Sequence, residues 1–262
     1  MIRALYTAAT GMNAQETNID VVSNNLANVN TTSFKKSRAD FQDLVYQYIV
    51  DPGAATSAST SSPSGIQVGL GVKTAAVQKI FAQGDLQNTG NQLDVAIEGE
   101  GFFPILLPDG TEAYTRAGTF QLNEDGDVVT PEGYQLAAGI NIPPDALSIS
   151  IAQDGTVNVR VPGSPTPTQA GTFDGVRFPN NAGLRAIGMN LYQETESSGT
   201  PVPGTFSEDG FGRLSQGFLE TSNVSVVEQV VNMITAQRAY EASSKGVQSA
   251  DEMLGQAINL KR

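Results

Sequence analysis

Ser225-Val226-Val227-Glu228-Gln229-Val230-Val231-Asn232-Met233-Ile234-Thr235-Ala236-Gln237-Arg238-Ala239-Tyr240-Glu241 is the stretch that decides the fold. It opens on Ser-x-x-Glu, a capping box in which the Ser225 and Glu228 side chains satisfy orphan N–H groups at a helix start. From there Val226, Met233, Tyr240, Val247 and Leu254 recur every seven residues, flanked by Val230, Ile234 and Ile258. Such a repeat runs a stripe down one side of a helix and suits a coiled-coil-like seam. Arg238 and Glu241, three apart, are neighbours on that helix and form either a surface ion pair or a polar register lock between packed helices.

The other end mirrors this pattern. Leu5, Met12, Ile19 and Leu26 also step by seven, with Ile2, Val22 and Val29 beside them. The spacing predicts a helix from about Ile2 to Ala27, roughly 40 Å long at 1.5 Å per residue. It should stop within residues 24–32, where Asn and Thr side chains compete for the backbone. Either stripe alone is equally compatible with an ordinary amphipathic core helix. Two matching stripes at opposite ends point instead to assembly helices that pack on each other and on neighbouring copies.

Between them the chain changes character. All 13 prolines fall between Pro52 and Pro203, and of 27 glycines only Gly11, Gly246 and Gly255 lie outside residues 53–217. Proline breaks helix interiors and glycine weakens them, so the middle is not helical. It reads as β. Leu147, Ile149 and Ile151 alternate with polar residues, Asp154-Gly155 supplies a turn, and Val157, Val159 and Val161 alternate on the return. Val95-Ala96-Ile97 runs into a meander from Phe102 to Leu107, turned at Pro108-Asp109-Gly110 and followed by Tyr114, Phe120 and Leu122. Residues 53–65 are small and polar, the composition of a flexible or extended linker. The fold class is therefore α+β, with terminal helices forming an assembly domain around a β-rich middle.

Composition narrows the function. The chain has no Cys and no His, which removes thiolate chemistry, His-based triads and His-ligated zinc. Net charge is −12, nearly all of it in residues 51–217, which hold seven basic and eighteen acidic side chains. Nucleic acid needs clustered Lys and Arg and is a poor partner for such a body. No apolar run approaches the roughly 18 residues of a membrane span, and no cleavable signal is legible at the start. Asn123-Glu124-Asp125-Gly126-Asp127 lacks the ligand ladder of a calcium loop and reads as a turn. Gly99-Glu100-Gly101 precedes no helix and reads as a bend, and Glu98 and Glu100 carry no mark of a catalytic pair. No cofactor or metal is called for.

At the ends, Ser23-Asn24-Asn25-Leu26-Ala27-Asn28-Val29-Asn30-Thr31-Thr32-Ser33-Phe34-Lys35 and Gly217-Phe218-Leu219-Glu220-Thr221-Ser222-Asn223-Val224, with Gln237, Arg238, Tyr240 and Glu241 beyond, resemble the motifs of the bacterial flagellar axial proteins, the rod, hook and junction subunits. Ser33 stands where that family usually has Gly. Residues 93–103 and 113–120 are similar to the family's rod and hook segment. The stretch from Tyr46 through Pro52 and Gly53 to Pro63 is most similar to the distal rod branch, with the proximal rod and then the hook as alternatives.

The resemblance implies a non-enzymatic subunit exported without a cleaved signal and polymerised helically in a rod crossing the periplasm, where it transmits torque. Implied partners are copies of itself, proximal rod and hook subunits, and the surrounding periplasmic and outer-membrane rings, without membrane insertion. The domain division expected is 1–30 with 222–262 for assembly, 31–72 as a connecting segment with an extended insertion, and 73–221 as the outer β-rich domain. Within it, the seven-step residues form the assembly interface, and Tyr46, Pro52, Gly53 and Pro63 belong to a stiffening segment. A secreted glycan-binding or glycan-hydrolysing protein would also suit an acidic β-rich middle, but leaves the paired ends without a purpose.

Overall fold

The fold is that of a computed structural model, which describes residues 2–53, 55–57, 60–61, 63–163 and 166–259. It is α+β, with one helix at each end. The first, α1, spans Ile2–Ala27 and the second, α2, spans Val226–Asn259. At the start of α2 the Glu228 N–H reaches the Ser225 hydroxyl at 3.5 Å, and the Gln229 N–H donates to the Ser225 carbonyl at 3.0 Å. Ser225 is thus the capping residue.

The chain divides into two compact units, the first made of residues 1–27, 37–79 and 225–262, the second of 28–36 and 80–224. In the first unit α1 and α2 pack along small side chains. A methyl on Gly11 would sit 3.3 Å from the Ser243 hydroxyl, one on Gly246 would sit 3.9 Å from the Ala8 methyl, and Ala14, Ala236 and Ala250 are buried. The seam on α2 follows Gln229, Ala236, Ser243 and Ala250, which also step by seven. Of the larger residues in the two repeats, Leu5, Met12, Ile19, Leu26, Met233, Val247 and Leu254 are half-buried, while Val226 and Tyr240 are exposed.

The rest of this unit is ribbon. Ser37–Asp43 pairs antiparallel with Val72–Lys79, and Tyr46–Val50 with Ile66–Gly69. Ala55–Ser57 pairs with Thr60–Ser61 at the far end. The small polar run 53–65 is therefore part of a hairpin arm rather than a linker, although positions 54, 58, 59 and 62 lie outside the described residues. Backbone hydrogen bonding explains the difference, since it does not depend on side-chain size. A methyl on Gly65 would overlap the Val50 carbonyl and the Pro52 ring, so the two legs approach as only glycine permits.

The second unit carries the core. A seven-stranded sheet runs in the order Gln121–Leu122, Val128–Val129, Gln135–Leu136, Phe103–Leu106, Glu112–Thr115, Leu191–Gln193 and Arg185–Gly188. Ser148–Ile151, Thr156–Arg160 and Thr168–Thr172 form a second sheet, with Ile151 opposite Val157 and Ile149 opposite Val159 as the alternation predicts. Gly155 turns the hairpin at φ 92°. Phe103, Phe120, Phe173 and Phe206 meet in a cluster of edge-on and tilted rings, joined by Val95, Ile97, Val157, Val159 and Leu214. Burying each of these large side chains contributes about 1.5–3 kcal/mol.

One pairing departs from the sequence reading. Val95–Glu98 does not continue into the neighbouring meander but pairs with Arg213–Gln216, a long-range partner that no local turn signal reports. This ribbon is locked by Gly118, whose carbonyl accepts the Val95 N–H at 3.0 Å and whose Cα faces the Val95 carbonyl too closely for a side chain. Gly118→Ala is expected to lower the urea midpoint, with a loss of about 1–3 kcal/mol for the forced shift.

Candidate functional site

The sequence motifs at the two ends resolve into asparagine clasps and a buried charge cluster. In the first unit, Asn25 is buried in the last turn of α1. Its amide oxygen accepts the Ser37 N–H at 2.8 Å and its amide nitrogen donates to the Ser37 carbonyl, also at 2.8 Å, while reaching the Gln229 side chain of α2 at 3.3 Å. One side chain thus mimics a neighbouring strand for Ser37, where the ladder with Lys79 begins, and ties that point to both helices. Only Asn or Gln offers an acceptor and two donors in that geometry. Leu26 is half-buried beside it, and Asn24 and Ala27 lie on the exposed side.

Asn223 repeats the device in the second unit. Its oxygen accepts the Lys36 N–H at 2.8 Å, and its nitrogen donates to the carbonyls of Ile80 and Ala82 at 2.9 and 3.0 Å. Asn28 accepts from the Thr31 hydroxyl at 3.1 Å, bending the chain after α1. Ser33 then sits at φ 56°, the left-handed region that favours glycine. Its hydroxyl donates to the Arg116 carbonyl at 2.9 Å and its N–H to the Glu220 carbonyl at 2.8 Å. Those bonds offset a backbone strain of about 1–2 kcal/mol, so serine is accommodated at an angle that favours glycine. Phe34 is buried next to it, and the Ser222 hydroxyl is buried without a hydrogen-bond partner.

Behind Ser33 lies a cluster that sequence reading missed. Glu220 is fully buried and contacts the Lys35 ammonium through one oxygen and the Arg116 Nε at 2.9 Å through the other. The Gly84 N–H also donates to Glu220, at 2.8 Å. Lys35 donates further to the Ala82 carbonyl at 2.8 Å, and Arg116 to the carbonyls of Gly101, Ile97 and Gly99 at 3.1, 3.3 and 2.9 Å. Burial would push Glu220 up, but Arg116, Lys35 and the Gly84 N–H outweigh it and hold its carboxyl below the usual range. Burial, and then the Arg116 charge, push Lys35 down to about 8 against the pull of Glu220.

This sets a pH dependence. The unfolded ammonium keeps its proton to about pH 10.4, whereas the folded one sheds it near 8. Between those values the unfolded chain binds more protons, so this group makes stability rise with pH, by at most about 1.4 kcal/mol per unit. The urea midpoint of the second unit should climb from pH 8 to 9.5, a climb that Lys35→Met removes. Parallel profiles for the two proteins would contradict the assignment.

The remaining sequence candidates lie elsewhere. Gln237, Arg238, Tyr240 and Glu241 are all exposed on α2, and among the described residues no ion pair joins Arg238 to Glu241, so the register lock is not made within one subunit. Tyr46 and Tyr48 are exposed on the ribbon, Pro52 and Gly53 form its exposed turn with Gly53 at φ 83°, and Pro63 is exposed on the return. Glu98 is engaged by Arg213 at 3.1 Å and by the Ser215 hydroxyl at 2.7 Å, and Glu100 by Arg177 at 3.0 Å. Asn123 accepts the N–H groups of Asp125 and Asp127, which makes residues 123–127 a turn.

Nothing local marked Lys35, Arg116 and Glu220 as partners, because Lys35 and Glu220 are 185 residues apart. The available signal was a single charge set in each of three otherwise apolar or neutral motifs.

Comparison with known proteins agrees with this architecture. Residues 5–35 match the family described as flagella basal body rod protein, residues 96–159 the flagellar hook protein FlgE/F/G D1 domain, and residues 215–260 the flagellar basal body rod FlgEFG protein C-terminal family. The chain is 51% identical to the flagellar basal-body rod protein FlgG of Borreliella burgdorferi and 42% identical to that of Bacillus subtilis, in each case over the full length of both. It is 36% identical to the flagellar hook protein FlgE of Helicobacter pylori over 71% of this chain but 27% of that one. The chain belongs to the family of flagellar rod and hook proteins. Rod proteins match it from end to end, whereas that hook protein is far longer. It is a structural subunit of the flagellar basal-body distal rod, and not an enzyme.

Proposed function

We propose that copies of this chain polymerise helically into a straight, stiff tube that crosses the periplasm and transmits torque to the hook. The observation that carries this reading is the exposed apolar face of α2. Val226, Val227, Val230, Val231 and Ile234 are all exposed within the subunit, on a helix whose other side is already used against α1. An apolar face of this extent needs cover, and a second copy supplies it. The seven-step residues Leu5, Met12, Ile19, Leu26, Val226, Met233, Tyr240, Val247 and Leu254 line or border the assembly helices. In this division of labour, residues 1–30 and 222–262 assemble, 31–72 connect and stiffen, and 73–221 face outward.

The further partners are proximal rod subunits at one end, hook subunits at the other, and the rings around the rod. Export proceeds through the flagellar channel without a cleaved signal. Among the described residues no helix is long and apolar enough to cross a membrane. Electron microscopy of the concentrated full-length protein tests the reading. Straight tubes of one fixed diameter are the expected result, and a protein that stays monomeric at every concentration would overturn it.

A further inference from the structure

Strand Phe218–Glu220 brings one carboxylate to two buried cations. The Lys35 and Glu220 side chains are fully buried and that of Arg116 is 5% exposed, so the cluster encloses one more cation than anion while Lys35 is charged. The other partners described above are backbone dipoles. Without Glu220, neither cation would keep the carboxylate that pairs with it here, and an uncompensated buried charge is among the costliest features of a protein interior.

The three charges come from distant parts of the chain. Lys35 lies eight residues beyond the end of α1, Glu220 lies six before the start of α2, and Arg116 sits in the middle. Besides the Lys35 contacts, the bonds that hold the segment 28–36 include one from the Asn190 side chain to the Thr32 carbonyl at 3.1 Å, one from the Ile80 N–H to the Lys36 carbonyl at 2.8 Å, and four more. The Ser33 N–H donates to the Glu220 carbonyl, the Ser33 hydroxyl to the Arg116 carbonyl, the Asn223 N–H to the Phe34 carbonyl, and the Lys36 N–H to the Asn223 side chain. Three of these bonds reach residues 220–223, and the others reach Ile80, Arg116 and Asn190.

We infer that the cluster is a latch: segment 28–36 docks into the rest of the second unit only when Glu220 is in place, so in a chain lacking its last strand this segment stays undocked. Any chain that emerges from its N-terminus presents Lys35 long before Glu220. Early docking would strand two cations in the interior, so the segment waits. The segment is therefore fixed only once strand Phe218–Glu220 has arrived. This holds whatever the packing between subunits.

Hydrogen exchange on the dilute full-length chain tests the latch, with segment 28–36 as reporter and the hairpin 148–160 of the same unit as reference. Glu220→Gln keeps the shape and removes the charge. Protection of 28–36 should fall by about tenfold or more while the hairpin changes far less, the signature of local rather than global opening. Adding Lys35→Met removes one of the two stranded cations, returns the cluster to the parent's excess of one positive charge, and should restore protection to within about threefold of the parent, a non-additive rescue. Unchanged protection in Glu220→Gln would overturn the latch, and so would a loss shared equally by both reporters that Lys35→Met does not reverse. If Glu220→Gln does not fold at all, the double variant must fold under the same conditions, and its failure would equally overturn the latch.

Discussion

Val231→Asp and Ile234→Asp are each expected to abolish polymerisation while leaving the β-rich unit folded. Val231 is 57% exposed and Ile234 47% exposed in the subunit, so neither change disturbs the seam against α1. In a tube these side chains would be covered by a neighbour. Losing one apolar contact removes about 1.5–3 kcal/mol per subunit, and burying an unpaired carboxylate adds several more. Each 1.4 kcal/mol corresponds to about a tenfold change in an equilibrium constant. A helical polymer counts the loss at every lattice position, so no tubes should form at concentrations where the parent protein assembles fully. Sedimentation with electron microscopy reads the outcome, and near-ultraviolet circular dichroism checks that the tyrosines of the second unit stay packed. Normal tubes from either variant would remove α2's outer face from the assembly surface.

Deleting residues 47–63 is expected to give tubes that still assemble but curve and flex. The deletion removes most of the hairpin arm, including exposed Tyr48 and Ile49 and the turn at Pro52 and Gly53. A bending tube requires neighbouring subunits to slide past one another as they pass from the inside to the outside of the curve. An arm that bridges to the next subunit opposes that sliding. Each bridge adds only about 1–3 kcal/mol if it rests on a few hydrogen bonds, yet the lattice repeats it. The ladder gives the arm its shape in advance, which lowers the entropy lost when it docks. Persistence length measured from electron micrographs should drop severalfold. Straight, rigid tubes from the deletion would show that the arm has no part in stiffness.

The helices were legible because their signals are local. Ser225 with Glu228 marks the start of α2, the run of Asn from 24 to 30 marks the end of α1, and the absence of proline between Ile2 and Ala27 leaves the first helix unbroken. The hairpin at Asp154-Gly155 was legible for the same reason. What the repeat of large residues concealed is that the inner seam belongs to Ala236, Ser243, Ala250 and Gly11. Small side chains let helices approach closely, and a hydrophobicity pattern does not register them. The far ribbon formed by Ala55–Ser57 and Thr60–Ser61 was hidden by composition, since backbone pairing leaves little trace in a run of Ala, Ser and Thr. The charge cluster was hidden by distance along the chain. Asn25, Asn223 and Ser33 stood out as motif residues, but their work, substituting for a strand neighbour or holding a left-handed turn, emerges only once the helix ends are placed beside the strands.

The small-residue seam has a thermodynamic consequence. Two helices joined through glycine, alanine and serine leave Leu5, Met12, Ile19, Leu26, Met233, Val247 and Leu254 only half-buried, so their pairing within one subunit falls short of full apolar burial. The valines, isoleucine and tyrosine that would strengthen it point outward. In the polymer proposed above, cover by other copies would add to the free energy that orders the ends, and their stability would then depend on subunit concentration. Such a system has a critical concentration. Below it, free subunits offer no firm surface on which growth can begin. Above it, an existing tube end offers several ordered neighbours at once, so elongation outruns spontaneous nucleation and material is added where a rod already stands.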